Sequence, residues 1–534
     1  MKKFLLILLF ASAGPRFLAG DDHNPIGVTG AFEGVITTGC AYNVLSHNAT
    51  RQIDDIVVPG AIGKYGLKMT RYYNSRSTFG YGILGPGWTH EYLWTSSNDR
   101  VKYPNGSVWD SHCTDDWGLG GPLGVSDWPT TWNGHPAFRL ADGGTVVFEN
   151  PKWGVATKII DPYGQVTTIT LDAVSGIITR VTEPGGRYLQ FTYTTYNDVQ
   201  VLNRVEAYDG RGNQIESVVY HYASKPTGGT IVRTAVCLTS VDYSDGQHAT
   251  YTYTTDNSPE NPTPPCPCPL KLSPLVIGCD DARYHGPMRR IAYEYQQGGP
   301  HGAILREKYW DGVAGDEANG PTVSRIGPPA PSPLLQGVTF PTTYTETRGD
   351  SPTRTFNYTP LSLGRPPNED VCPSVNGPAP QQFLLSYTDF QGHTTVLGYD
   401  ANWYVNSVRD ANLHTTSYLR GPPPNAYPGP KGIGEILKIT YPGGAHIDYT
   451  YEDESPKISG HYVRTVSNER QKVTTYTRNP TTHLVTRIDY PSDANTPTSY
   501  EQFTYNSFGQ VLTHHLKNGA WESFFYDGRG LLTD

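Results

Sequence analysis

The chain has 534 residues, 37% hydrophobic and 12% aromatic, with 37 Tyr against 16 Phe. Its net charge is −9, from 41 basic and 50 acidic residues with no Lys/Arg block. Nucleic-acid binding needs a concentrated basic footprint that displaces counterions, so no nucleic-acid partner is expected.

In chain order, Met1-Lys2-Lys3 is a basic start, Phe4 to Phe10 is apolar, and Ala11-Ser12-Ala13 offers the small residues of a cleavage site. This pattern predicts a secretory signal peptide over 1–19, cleaved after Ala13 or Ala19, and hence a secreted or cell-surface protein. The apolar run is well short of the roughly 20 residues that span a bilayer, and no later segment is apolar enough, so no membrane span is expected. Residues 26–134 form a first region, ending in a Gly-rich stretch that holds Trp109, Trp117, Trp128 and Trp132. Exposed Trp117, Trp128 or Trp132 would suit stacking on sugar rings, although packed Trp is the commoner state.

Hairpin repeats are predicted over 135–253. Ile178 to Tyr193, Leu238 to Tyr253 and Ile436 to Tyr451 align without a gap, each with apolar first and fourth residues, Gly ninth and an aromatic-Thr-Tyr end. Leu384 to Tyr399 keeps the frame without the Thr, and a fifth copy surrounds Asp161-Pro162-Tyr163-Gly164. The first arm is short and alternating, and Pro and Gly in the centre suit a tight turn. The second arm has period two: Leu189, Phe191 and Tyr193 face one way, as do Ala249, Tyr251 and Tyr253, and Ile447, Tyr449 and Tyr451. A single hairpin is marginal, so each must be stabilised by neighbours on both sides. The expected fold is all-β, a strip of stacked hairpins with no long helix.

A Pro/Cys-rich insertion, 254–283, interrupts the repeats, which resume over 284–534 and are broken again at Gly327 to Ser332 and Gly421 to Gly429. Seven Cys occur (Cys40, Cys113, Cys237, Cys266, Cys268, Cys279 and Cys372), an odd number that leaves at least one unpaired. In an oxidising compartment, disulfides among Cys237, Cys266, Cys268 and Cys279 would staple the insertion. A metal site at Cys266, Cys268 and Cys279, with His285 nearby, lacks the usual zinc spacing. The final repeat stops within a turn and second arm at Tyr526 to Asp534, which predicts truncation of a longer polypeptide or a partner over this edge.

Tyr-Asp-Gly-Arg-Gly occurs at Tyr208 to Gly212 and again at Tyr526 to Gly530, with Tyr399-Asp400 and Tyr505-Asn506 in similar places. Together with the Gly and Tyr-x-Tyr elements, this resembles the YD repeat of the Rhs (rearrangement hotspot) and teneurin families. Asp55 to Gly60, Leu67 to Ser75 and Leu84 to Tyr92 resemble the Rhs-type region that precedes those repeats, and Ala141 to Gly144 with Phe148 fits the strand pair that follows. The resemblance covers roughly residue 26 to the end. It implies a spiralling β strip, here a partial shell, and in bacterial members an enclosed C-terminal toxin. Teneurin-like members act in adhesion. The family's self-cleavage motif is approached only by Asp161-Pro162-Tyr163-Gly164, followed by Gln165 and lying in a hairpin turn, so no cleavage is assigned.

The candidate acid–base groups are His285 with Asp280, Asp281 and Arg283, His90 with Glu91, and His514 with His515. They are scattered, and none of the common nucleophile, zinc-protease or phosphate-loop motifs occurs. A β-solenoid glycosidase or lyase is the weaker third reading. No catalytic residue, cofactor or metal is assigned. The expectation is a secreted, non-enzymatic YD-repeat scaffold, part of a shell or extended β surface and the repeat portion of a polymorphic toxin of interbacterial competition. Its partner would then be an enclosed C-terminal cargo. The alternative is cell-surface adhesion or carbohydrate binding, with a surface glycan or protein as partner.

Overall fold

The computed structural model describes residues 42–43, 48–60, 62–74, 82–97, 100–106, 108–110, 128–140, 143–226, 234–254, 275–283, 290–295, 304–310, 322–326, 343–348, 353–358, 384–400, 405–420, 436–451, 463–492, 499–527 and 532–533. The predicted signal peptide lies outside them, as do Cys40, Cys113, Cys266, Cys268, Cys372, Trp117 and His285. Among the described residues every regular element is a strand, so no helix there is long and apolar enough to cross a membrane. The all-β expectation holds.

Most strands belong to one ladder, which starts at Trp128–Trp132 and runs through every later strand to Trp521–Ser523. Each strand is antiparallel to its sequence neighbours. The strand order closes into a ring. Among the described residues, however, no register pairs the last strand with the first, so the molecule is a curled strip and not a barrel sealed by a ladder.

The two edges of the strip are built differently. On one edge, a side-chain oxygen of Asp161, Asp209, Asp389, Asp410 or Asn468 accepts from the amides two and four residues on. Such Asx turns stand in for a backbone turn and hold the hairpin at fixed length. Asp161-Pro162-Tyr163-Gly164 is one of them, with the Gly164 amide donating to the Asp161 carbonyl at 3.0 Å, so the sequence reading of this string as a turn is correct. The opposite edge carries the four longest connections between described strands, at 255–274, 327–342, 359–383 and 421–435, although 311–321 and 490–499 fall on the Asx edge and Asn506 makes the same turn on this one.

A second device fixes the size of each repeat. The Tyr193 hydroxyl donates to the Ile178 carbonyl fifteen residues back, at 2.7 Å. Tyr399 reaches Leu384, Tyr451 reaches Ile436 and Tyr526 reaches Val511 in the same way. In the copies at 178–193, 384–399 and 436–451 the first and last residues are therefore hydrogen-bonded to each other. The closing Tyr sits at a β-bulge, which re-aims its side chain along the strip. In two copies Arg replaces Tyr: the Arg420 guanidinium donates to the Val405 carbonyl at 3.0 Å and Arg478 to that of Val463 at 3.5 Å.

A separate four-stranded sheet is formed by Tyr42–Asn43, Asn48–Val58, Leu67–Asn74 and Trp88–His90. It packs on the inner face of the first half of the strip, touching strands Tyr188–Tyr196 and Gln214–Pro226. The main core lies between them and includes Ile53, Met69, Trp88, Val181, Leu189, Val205, Val218 and Val241.

Candidate functional site

Cross-strand registers trace one continuous inner face along the strip. In the first half it carries Leu189, Ala207, Val205, Val218, Tyr243, Tyr220, Val241, Ala249, Tyr251 and Cys279. In the second half it carries Leu397, Val408, Tyr418, Ile439, Ile447, Tyr449, Val466, Tyr476, Ile488, Phe503 and His514. The outward face is chiefly Thr, Ser and charged residues, as at Ser417, Thr440, Thr465 and Thr475.

The N-terminal sheet covers the first half through three buried polar clamps. At the centre, Asp55 accepts from Arg71 at 2.5 and 3.0 Å, from Tyr220 at 2.7 Å and from Tyr243 at 3.0 Å. Asp281 accepts from Arg71 at 3.4 Å, from Tyr251 and from the Arg283 amide at 2.9 Å. Arg283 pairs with Glu216 and Asp245, each at 2.8 Å. Burial raises the Asp55 carboxyl above its ordinary value, opposed by Arg71. The second clamp is Glu183, paired with Arg187. Glu183 accepts the Ile62 amide at 3.0 Å, and Arg187 donates to the carbonyls of Pro59 and Gly60 at 2.9 and 2.7 Å. Asp161 is the third, accepting the Lys64 amide at 2.8 Å. Each carboxylate serves the junction, where a buried charge needs a full set of partners.

The apolar half of the junction is aromatic. Trp88 is fully buried, its ring 4.7 Å from Tyr251 and 5.0 Å from the Arg71 guanidinium. Its indole N–H donates to the Tyr253 hydroxyl at 2.9 Å. At Gly85, φ is +89°, and an added Cβ would lie 2.8 Å from the Val236 carbonyl oxygen, so only glycine permits this approach. His90 packs tilted against Phe191, ring centroids 5.5 Å apart, with its Nε2 unpartnered, and burial pushes its pKa down to about 3.

The acid–base candidates thus scatter or serve packing. Asp281 and Arg283 belong to the central clamp, whereas Asp280 pairs in register with Thr250 on the outward face. Glu91 is taken up by Tyr72 and Lys68. His514 lies inward between Glu501 at 3.2 Å and Glu522 at 3.4 Å, and His515 outward, stacked 4.6 Å from Tyr500. Trp132 is half-buried beneath the Lys158 ammonium at 5.2 Å, and the side chain of Trp128 is outside the described residues. The disulfide expectation is corrected at Cys237, which is a buried thiol, while Cys266 and Cys268 lie outside the described residues. The Cys237 thiol is pushed up to about 12 by burial, an environment that suppresses thiolate chemistry.

The sequence pointed to the aromatic arms but not to their division into a covered and an open half. In the second half Tyr387, Tyr418, Tyr449, Tyr476 and Phe503 are half-buried, with no second sheet over them among the described residues. This open aromatic face is the candidate functional site.

A domain of unknown function, DUF6531, matches residues 43–107, the segment that builds the N-terminal sheet. No curated protein matches the chain. Among solved structures, TcdB2-TccC3 without its hypervariable C-terminal region matches with a TM-score of 0.32 and 10% identity, over 87% of this chain and 26% of that one. The present chain thus spans about a quarter of that protein's length. The N-terminal domain of the effector protein SpvB from Salmonella typhimurium strain LT2 matches with a TM-score of 0.19 and 11% identity, over 46% of this chain and 95% of that domain. A porin-like protein from Bacteroides uniformis ATCC 8492 matches with a TM-score of 0.20 and 14% identity, over 58% of this chain and 96% of that one.

Proposed function

We propose that the chain is a secreted, non-enzymatic YD-repeat scaffold, part of a shell, that holds polypeptide cargo against the inner face of residues 384–526. The supporting observation is the contrast along that face: the same aromatic register is buried beneath a sheet in the first half and half-exposed in the second. Half-buried Tyr and Phe set among Ile and Val present area that a polypeptide can cover, with hydroxyls that pair with its backbone. The repeat resemblance supports the same reading, with the cargo as a C-terminal toxin segment in interbacterial competition. Photo-crosslinking from p-benzoylphenylalanine at Tyr449 or Tyr476, in the secreting host, tests it. Adducts to one polypeptide are expected from these inward positions and not from outward Thr465. Equal labelling from both faces, or none, would overturn the reading.

A second reading, glycan adhesion, is favoured by an outward stack. Arg487 lies 4.0 Å over Tyr500, which stacks on His515, and His515 meets Trp521, 59% exposed, at 4.8 Å. Glycan-array binding lost in a folded Trp521→Ala variant would move the assignment there.

A further inference from the structure

After one revolution, the strip returns beside its own beginning. The turn 161–165, between strands Lys158–Ile160 and Val166–Leu171, meets the turn 506–510, between Tyr500–Tyr505 and Val511–His515. The Gln165 side-chain amide donates to the Ser507 carbonyl at 3.3 Å. An added Cβ on Gly509 would lie 4.0 Å from that same amide nitrogen and 3.5 Å from a Leu484 methyl. Tyr163 faces Tyr505, whose hydroxyl is pushed up to about 12 by burial first and by Tyr163 next.

Strand alternation shows that opposite edges meet here. The turn 161–165 lies on the first edge and 506–510 on the second, each an Asx turn closed on its first residue. On that second edge the connections at the seam, 479–484 and 506–510, are short, as 172–177 and 400–404 are elsewhere on it. A long loop at either place would stand between the two turns. Short connections therefore let the edges meet, and turns and side chains make the contact, not a ladder. Parting it breaks no strand pairing, whereas opening the strip elsewhere strips a full register of backbone hydrogen bonds.

We propose that this seam is a releasable clasp, and that its opening gives access to the inner face of residues 384–526. The access it controls rests on the reading of that face as a cargo surface. Gln165→Glu sets a carboxylate against the Ser507 carbonyl and leaves the backbone amide of residue 165, which donates to Asp161, in place. Gln165→Ala removes the donor without adding charge.

The test places a fluorescence donor and acceptor, through p-acetylphenylalanine, at the exposed positions Thr168 and Thr504, one on each side of the seam. Single-molecule transfer efficiency and the uptake rate of bis-ANS are then recorded for the wild type and both variants. The expected result is a minor low-efficiency population in the wild type that grows several-fold in Gln165→Glu and less in Gln165→Ala. Dye uptake should quicken by a similar factor, with the far-UV spectrum and melting unchanged. A single high-efficiency population in all three proteins, with dye uptake unaltered, would overturn the clasp and leave the inner-face reading standing. Opening without dye binding in any of them would overturn the inner-face reading and support the clasp.

Discussion

The two halves of the strip use the same repeat with opposite outcomes. Between residues 158 and 283 the inner face is dry, and the polar groups that cross it sit in clamps with the N-terminal sheet. Between 384 and 526 the aromatic positions of that face are half-buried, with buried Leu397 and Ile488 among them, and stability rests chiefly on the ladder, the Asx turns and the closing hooks. At Leu238 to Tyr253 the difference reaches one hydroxyl: Tyr253 accepts from Trp88 of the covering sheet. A repeat therefore folds with either kind of support. The covered half adds partners far away in sequence to its local hook at Tyr193, whereas the open half relies on hooks such as Tyr399 and Tyr451.

The largest break in this comparison should come from Arg71→Met. It strips Asp55 and Asp281 of their shared cation in a fully buried site, a change that typically costs about 3–5 kcal/mol. Urea unfolding followed by hydrogen exchange should show the loss in 158–283, with exchange in 384–526 little changed. Next is the pair Leu189→Ala and Ile439→Ala. At fully buried Leu189 the truncation should cost about 3 kcal/mol, and at half-buried Ile439 about half of that, read from urea midpoints.

Acid sharpens the contrast further. His90 is held neutral, its pKa lowered from 6.5 to about 3, so unfolding takes up a proton and stability falls as pH drops below about 6.5. The loss should be about 2 kcal/mol between pH 7.5 and pH 5. Asp55 acts in the opposite sense. Its raised carboxyl contributes stability that is present at low pH and lost as pH rises. The difference between wild-type and His90→Leu stability curves across pH isolates the imidazole, and a flat difference would remove His90 from this account. The smallest effect belongs to the hook: Tyr451→Phe should cost about 1 kcal/mol, detected as faster amide exchange around Ile436.

Much of the open half was legible in the sequence because its determinants are local. The period-two arms, the Gly at the turn and the terminal Tyr lie within one short window, and the structure joins the two ends of that window. Two copies escaped because both markers are absent. Val405 to Arg420 and Val463 to Arg478 place Leu413 and Gln471 in the left-handed conformation usually taken by Gly, and use Arg where Tyr stands elsewhere. The covered half was opaque for another reason. Asp55 meets Tyr220 and Tyr243 across 165 and 188 residues, and no period links such positions. Cys237 misled because its place before the Pro/Cys insertion resembles a staple, while the fold uses it as a small buried group.

The uneven edges bear on how such a molecule can be altered. The four longest connections lie on one rim, while the other closes several of its hairpins with the same Asx turn, so insertions on the long rim leave those turns in place. A binding peptide or a small folded domain grafted into 421–435 would leave the neighbouring hooks at Arg420 and Tyr451 untouched. The same graft into 410–414 would remove the Asp410 turn that sets the hairpin. One rim is the place to write new specificity, and the other is the spine that must be copied faithfully.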